Sequence, residues 1–261
     1  MDERLAGVPG FGLCESCTYR ESGPAALCYA CARQTVEEPA EPNERCSTCD
    51  LPFMEGEKSC RNPVCNFADR WFTWNFAIAM RSGALQTAIN RYKYEGRTGW
   101  ALIFGRILAG FLEERPATFH EFQLILPSPS WIGDGGRNFD HTSDVLSRAA
   151  AEVPPNSGWP FDDPAEPTIA KTGPTPSMVK YSFKQRLRVA EGPLRESLAI
   201  LHPDRVEGIN VLVYDDVFTD GLTLREIART LILDGGAAGV CGVTLCRQPF
   251  RPKPVAAIVA K

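Results

Sequence analysis

The stretch from Val211 to Leu224, VLVYDDVFTDGLTL, constrains the fold more than any other part of the chain. Its short, β-branched apolar run reads as a strand buried on both faces, and the following LTLREIARTLI repeats apolar residues at helical spacing. A buried strand feeding a helix through a short loop is the building unit of a parallel α/β sheet. In this reading the strand delivers Asp215 and Asp216 to the loop. Thr219, Asp220, Gly221 and Thr223 then offer backbone N–H groups and two hydroxyls at a helix N-terminus, where unpaired donors and the helix dipole favour a phosphate. Carboxylates beside such a cradle suit the hydroxyls of a diol, so the layout fits a sugar phosphate. The plainer alternative is an ordinary strand-turn-helix in which an aspartate caps the helix.

Eight of the ten cysteines fall within the first 65 residues as close pairs. Cys14, Cys17, Cys28 and Cys31 form one set. Cys46, Cys49, Cys60 and Cys65 form a second, and the ten-residue interval between pairs recurs in both. Such spacing suits tetrahedral zinc, which can organise a segment too small to build its own core. Four sulfurs per site point to closed, structural zinc rather than a catalytic metal. Two pairings are open: sequential sites, or a cross-brace joining the first and third pairs. No basic, apolar leader precedes the cysteines, so a reducing cytoplasm is expected rather than disulfides. No apolar run approaches the roughly 18–20 residues of a membrane span, so no membrane insertion is expected. Cys241 and Cys246 lie in the apolar GVCGVTLC and read as core.

The net charge of −4 hides an asymmetry: residues 1–70 carry 7 Lys and Arg against 12 Asp and Glu, and residues 71–261 carry 21 against 20. The acidic part is thus the cysteine region, a candidate docking surface for a protein partner. Its expected divisions are residues 1–36, a first ribbon, and 37–70, an acidic linker with a second ribbon. Residues 71–261 form the main domain. In that domain Trp71 to Gly96 and Trp100 to Leu112 read as helices, and QLILPSPS from Gln123 as a buried strand ending at Pro127. A helix follows from about Thr142 to Ala151. Ala151 to Pro167 reads as an irregular, proline-rich excursion, and TIAKTG as a short strand. The segment from Lys171 to Arg195 carries Lys171, Lys180, Lys184, Arg186, Arg188 and Arg195 against Glu191 alone, which favours an anionic partner or a solvated helix face. His120, His141 and His202 have no partner at ligand spacing and read as ordinary.

The paired acids with Thr219, Gly221 and Thr223 at fixed offsets resemble the phosphoribosyl pyrophosphate (PRPP) motif of type I phosphoribosyltransferases. Together with the paired four-cysteine knuckles, the KYEG turn (Lys93, Tyr94, Gly96) and a strand-Pro-x-Pro followed by Arg137 and Phe139, the chain resembles the competence protein F (ComF) family over nearly its whole length. The resemblance implies a double zinc ribbon before a type I phosphoribosyltransferase-like α/β domain, a parallel sheet with helices on both faces. It also implies a family-level link with DNA uptake and the processing of incoming single strands. Four departures stand out. Asp220 replaces a small neutral residue, Arg137-Asn138-Phe139-Asp140 replaces Arg-Gly-Phe-Asn, and Pro176-Ser177 and Val189 replace a Pro-Gln and a later Asn. A carboxylate at Asp220 would repel a phosphate unless its side chain turned outward to solvent.

Phosphoribosyl transfer passes through an oxocarbenium-like state, so the protein must stabilise a positive ribose and a negative leaving group. By the resemblance, Asp215 and Asp216 hold the ribose hydroxyls directly or through Mg2+. The loop Val217, Phe218, Thr219, Asp220, Gly221, Leu222 and Thr223 would hold the 5-phosphate, Mg2+ would neutralise the pyrophosphate, and Arg137 and the segment from Lys171 to Arg188 are candidates to cover it as a mobile lid. Amide transfer from glutamine would need a cysteine nucleophile at the mature N-terminus, and residue 2 is Asp. A rival reading has no catalysis: an adaptor that binds single-stranded nucleic acid through the basic segment, Tyr181, Phe183 and the RQPFRPKP tail from Arg247.

Overall fold

The computed structural model describes residues 41, 44–134, 136–154 and 156–249. The first cysteine set and the tail beyond residue 249 lie outside the described residues.

Four parallel strands form the central sheet: β1 (Asn75–Met80), β2 (Leu124–Pro127), β5 (Asn210–Phe218) and β6 (Gly239–Arg247), in the order β1-β6-β5-β2. The helices are α1 (Gly83–Tyr94), α2 (Trp100–Glu113), α3 (His141–Glu152), α4 (Phe183–Val189) and α5 (Leu222–Leu233). Strand β5 alternates its side chains between two cores, as a buried strand must. Leu212 and Tyr214 pack with α1, α2 and α3, whereas Val211 and Val213 pack with α5 and with Cys46, Cys49, Leu51, Val64 and Phe72 of the cysteine segment. The second cysteine set therefore shares a core with the sheet.

Two expectations are corrected. Trp71 to Gly96 is not one helix. Asn75–Met80 is an edge strand paired with β6, and the helix starts only after Ser82, with Gly83 at φ +48 making the break. A short apolar run such as NFAIAM satisfies a buried strand as well as a helix, and periodicity does not separate them. The proline-rich excursion also contributes to the sheet: Phe161 makes a parallel bridge to Ile125, with Ile125 N–H donating to Pro160 O at 2.8 Å and Asp162 N–H to Ile125 O at 2.8 Å. A further pair, β3 (Ile169–Lys171) and β4 (Leu198–Ile200), is antiparallel and forms a separate two-stranded sheet.

The bridge at Phe161 fixes where a ligand can enter. From β2 the chain passes through α3 to the outer side of the sheet, whereas from β5 it passes through α5 to β6 on the other side. The connections diverge at the β2/β5 boundary, and in open parallel sheets that divergence opens a crevice beyond the strands' carboxyl ends.

Candidate functional site

At that boundary β2 ends in Pro127-Ser128-Pro129 and β5 continues through Asp215 and Asp216 as far as Phe218. Both acids thus lie within the strand, which runs further than the sequence suggested. A cleft of about 550 Å³ lies over them, lined among others by Lys93, Arg137, His141, Lys171 and Asp215. A second of about 350 Å³ lies over Thr219, Asp220, Gly221 and Arg186. Met178, Val179, Asp215, Val217 and Thr223 line both, so the two are halves of one crevice.

Consecutive strand residues face opposite ways, and the two aspartates differ accordingly. Asp216 is buried, with Oδ2 2.7 Å from Lys93 Nζ and 3.2 Å from His141 Nε2. Burial opposes its ionisation, but Lys93 and His141 outweigh that and hold its carboxyl well below the usual range. Asp215 lines both halves of the crevice. Desolvation and the neighbouring charge of Asp216 push it up to about 7. Two adjacent carboxylates separated in this way give one permanent anion and one group that changes charge near neutrality.

His141 is the first residue of α3, a helix capped by Asp140, whose carboxylate accepts from Ser143 N–H at 3.1 Å. Its backbone carbonyl accepts from Tyr92 Oη at 2.8 Å, and its ring lies between Ser130 Oγ, 3.4 Å from Nδ1, and the Asp216 carboxylate at Nε2. Burial lowers its pKa, with Lys93 and Arg137 adding to the effect against the pull of Asp216. Lys171, on β3, is likewise lowered, first by burial and then by Arg137. Sequence reasoning assigned Lys93 only to a turn and His141 to no role. Both meet Asp216 through tertiary packing, and no local spacing announces it.

The other half of the crevice is the loop from Phe218 to Thr223. Gly221 caps α5 at φ +87, and a Cβ there would strike the Phe218 ring, so both backbone and space call for glycine. Phe218 and Leu222 are buried in the core, and Thr219 and Thr223 reach the crevice. Asp220 does not turn outward to solvent. Its Oδ2 accepts from Arg186 Nε at 2.7 Å and its Oδ1 from Leu222 N–H at 3.2 Å. A guanidinium from α4 and a helix-terminal amide can both hold an anion, so here the chain's own carboxylate takes those donors. Helix α4 begins with a capping box between Ser182 and Gln185, which orders the segment that carries Arg186.

Cys46, Cys49, Cys60 and Cys65 converge, with their sulfurs within 4.8 Å of one another. This is the sequential pairing for the second set. The Cys46–Cys65 and Cys49–Cys60 separations are 3.9 and 3.7 Å. A tetrahedron of sulfurs at the usual zinc distance has an edge of about 3.8 Å, whereas a disulfide needs about 2.05 Å. Each sulfur also faces an N–H donor: Thr48 N for Cys46, Arg247 for Cys49, Asn62 N for Cys60 and Asn62 Nδ2 for Cys65. Such donors offset thiolate charge around a bound metal. The cluster can hold one zinc ion. Cys241 and Cys246 are buried in β6 and take no part in it. No helix among the described residues is long and apolar enough to cross a membrane.

No protein-family model matches the chain. It is similar to DNA utilization protein YhgH of Escherichia coli (strain K12), 26% identical over 241 residues that cover 90% of this chain and 97% of the relative. The same name and figures hold for a relative in Shigella flexneri. One in Salmonella typhimurium is 25% identical over 245 residues, with the same coverage.

Proposed function

We propose that the protein is a PRPP-binding, phosphoribosyltransferase-like protein of the ComF type that acts in DNA uptake or processing, the context suggested by its relatives' name, DNA utilization. The observation that carries the reading is the position of Asp215. It stands in the carboxyl-terminal half of β5, at the divergence of the sheet, between a glycine-opened helix N-terminus and the cations Lys93, Arg137 and Lys171. In this reading Asp215 accepts from the ribose hydroxyls, and Thr219, Gly221 and Thr223 orient the 5-phosphate. Asp216 contributes a fixed negative charge beneath the ring that favours a developing cation. Arg137 and Lys171, which line the same half of the crevice, face the pyrophosphate. Burial lowers the pKa of Lys171, and an anion beside it would favour its charged form. Asp215 fits a Mg2+ ion held mainly by substrate oxygens, and that ion would supply charge neutralisation of the leaving group. Zinc at the cysteine cluster is structural, and the acidic ribbon region is a surface for a protein partner.

A second reading has an observation of its own. Lys180, Tyr181, Lys184 and Arg188 are all exposed, and α4 buries no residue. Cations interleaved with a tyrosine suit a single strand of DNA, by charge and stacking, without catalysis. Calorimetric titration with PRPP and Mg2+ separates the two. The first reading expects saturable binding that Asp215→Asn weakens at least about tenfold. No heat with PRPP, together with steeply salt-dependent binding of single-stranded DNA, would leave the adaptor.

A further inference from the structure

We propose that Asn62 and Arg247 are positioning residues through which the four-cysteine knuckle sets the direction of the amides in the loop from Phe218 to Gly221. Three successive carbonyls, from the last residue of β5 into the loop, accept from these two side chains, and Phe218 O accepts also from Gln248 N–H at 2.9 Å. Arg247, 2% exposed, donates from one terminal nitrogen to Phe218 O at 3.0 Å and to Thr219 O at 2.5 Å. Asn62 Nδ2 donates to Asp220 O at 3.0 Å. Both also reach back to the cluster. Arg247 Nε donates to Cys49 O at 2.8 Å, its other terminal nitrogen lies 3.7 Å from Cys49 Sγ, and Asn62 Nδ2 lies 3.5 Å from Cys65 Sγ.

In a trans peptide the C=O of one residue and the N–H of the next point in opposite directions. Pinning the carbonyls of Phe218, Thr219 and Asp220 toward the knuckle therefore turns the N–H groups of Thr219, Asp220 and Gly221 away from it, toward the crevice. Among the described residues those three amides have no acceptor. Neither pinning residue lines the crevice, so each acts through the backbone. A metal-bound sulfur has a fixed position and thiolate charge, and it holds an N–H more firmly than a mobile thiol does. The occupancy of the cluster and the order of the loop are then linked, and linkage of this kind is reciprocal. The ligand of the loop is taken from the function proposed above, but the coupling itself does not depend on it.

NMR relaxation on the zinc-loaded full chain tests the coupling without any ligand. Asn62→Leu keeps the volume and removes the donor. Arg247→Lys keeps the charge and removes the fork. In both, the backbone order parameters of Thr219, Asp220 and Gly221 are expected to fall from about 0.85 to below about 0.6, while zinc content and the order parameters of β2 and α2 stay as in the parent. Unchanged loop order, or a fall seen only when zinc is lost, overturns the proposal. A second readout uses cobalt in place of zinc. The visible absorption of the four-sulfur site should shift when PRPP and Mg2+ are added to the parent, and not in Asn62→Leu. If the parent binds PRPP with no shift, the coupling is refuted. If PRPP does not bind but loop order responds, the coupling stands and the phosphoribosyl reading falls.

Discussion

The two halves of the crevice are stiffened by opposite means. Around Asp216 the parts are side chains that satisfy one another: Lys93 from α1 and His141 from α3 close on a carboxylate at the centre of the sheet. Around Gly221 the part presented is backbone, and the side chains that fix it, Asn62 and Arg247, stand behind it on the cysteine cluster. The first arrangement protects a charge that must persist. The second leaves amides and one displaceable carboxylate, Asp220, at the surface of the crevice. A charge cluster can be buried because its partners are internal, whereas a cradle must leave donors open and obtain its rigidity from behind.

The largest effect that would break this contrast is expected at Lys93. Lys93→Met leaves Asp216 buried with a neutral histidine, and removing one partner of a buried pair costs about 3–5 kcal/mol. Urea unfolding at pH 8 should show that loss. Part of it should return at pH 6, because Asp216 without Lys93 raises the affinity of His141 for a proton, and a group whose folded pKa is raised contributes stability below that pKa. A loss under about 1 kcal/mol would mean that the pair is not buried as described. Next is Gly221→Ala, where a left-handed backbone and the Phe218 ring both oppose a methyl group. A loss of about 2–3 kcal/mol is expected. A neutral result in thermal unfolding would show that the loop relaxes freely, contrary to a backbone held from behind. The smallest effect sharpens the comparison. Asp220→Thr removes the internal anion and frees Arg186, so PRPP should bind roughly tenfold more tightly, about 1.4 kcal/mol. Equal affinity by calorimetry would show that the carboxylate moves aside without cost.

Local features were legible in the sequence and tertiary ones were not. Residues 211–224 fold as strand, loop and helix because each step depends on neighbours, namely β-branched residues, a glycine and a helical repeat. The convergence of Cys46, Cys49, Cys60 and Cys65 follows from their spacing in the same way. By contrast, Asp216 meets Lys93 and His141 across distant stretches of chain, and Asp220 meets Arg186 of α4 across 34 positions of sequence. The strand at Asn75–Met80 was hidden because a buried edge strand and a buried helix share one composition. Phe161 was hidden because its bridge to Ile125 lies within a segment whose prolines deny it a regular strand.

Asp215 lines the crevice and titrates near neutrality, and as a carboxylate it is expected to meet the ligand. Calorimetric titration with PRPP and Mg2+ at pH 6 and pH 8, on the parent chain and on Asp215→Asn, tests this directly. With a pKa of about 7, the ionised fraction rises from about one tenth to about nine tenths across that interval. The parent should therefore gain affinity from pH 6 to pH 8 by up to about tenfold more than Asp215→Asn does, the variant accounting for titration of the ligand itself. Parallel pH profiles for the two proteins, or equal affinities at pH 8, would contradict the account.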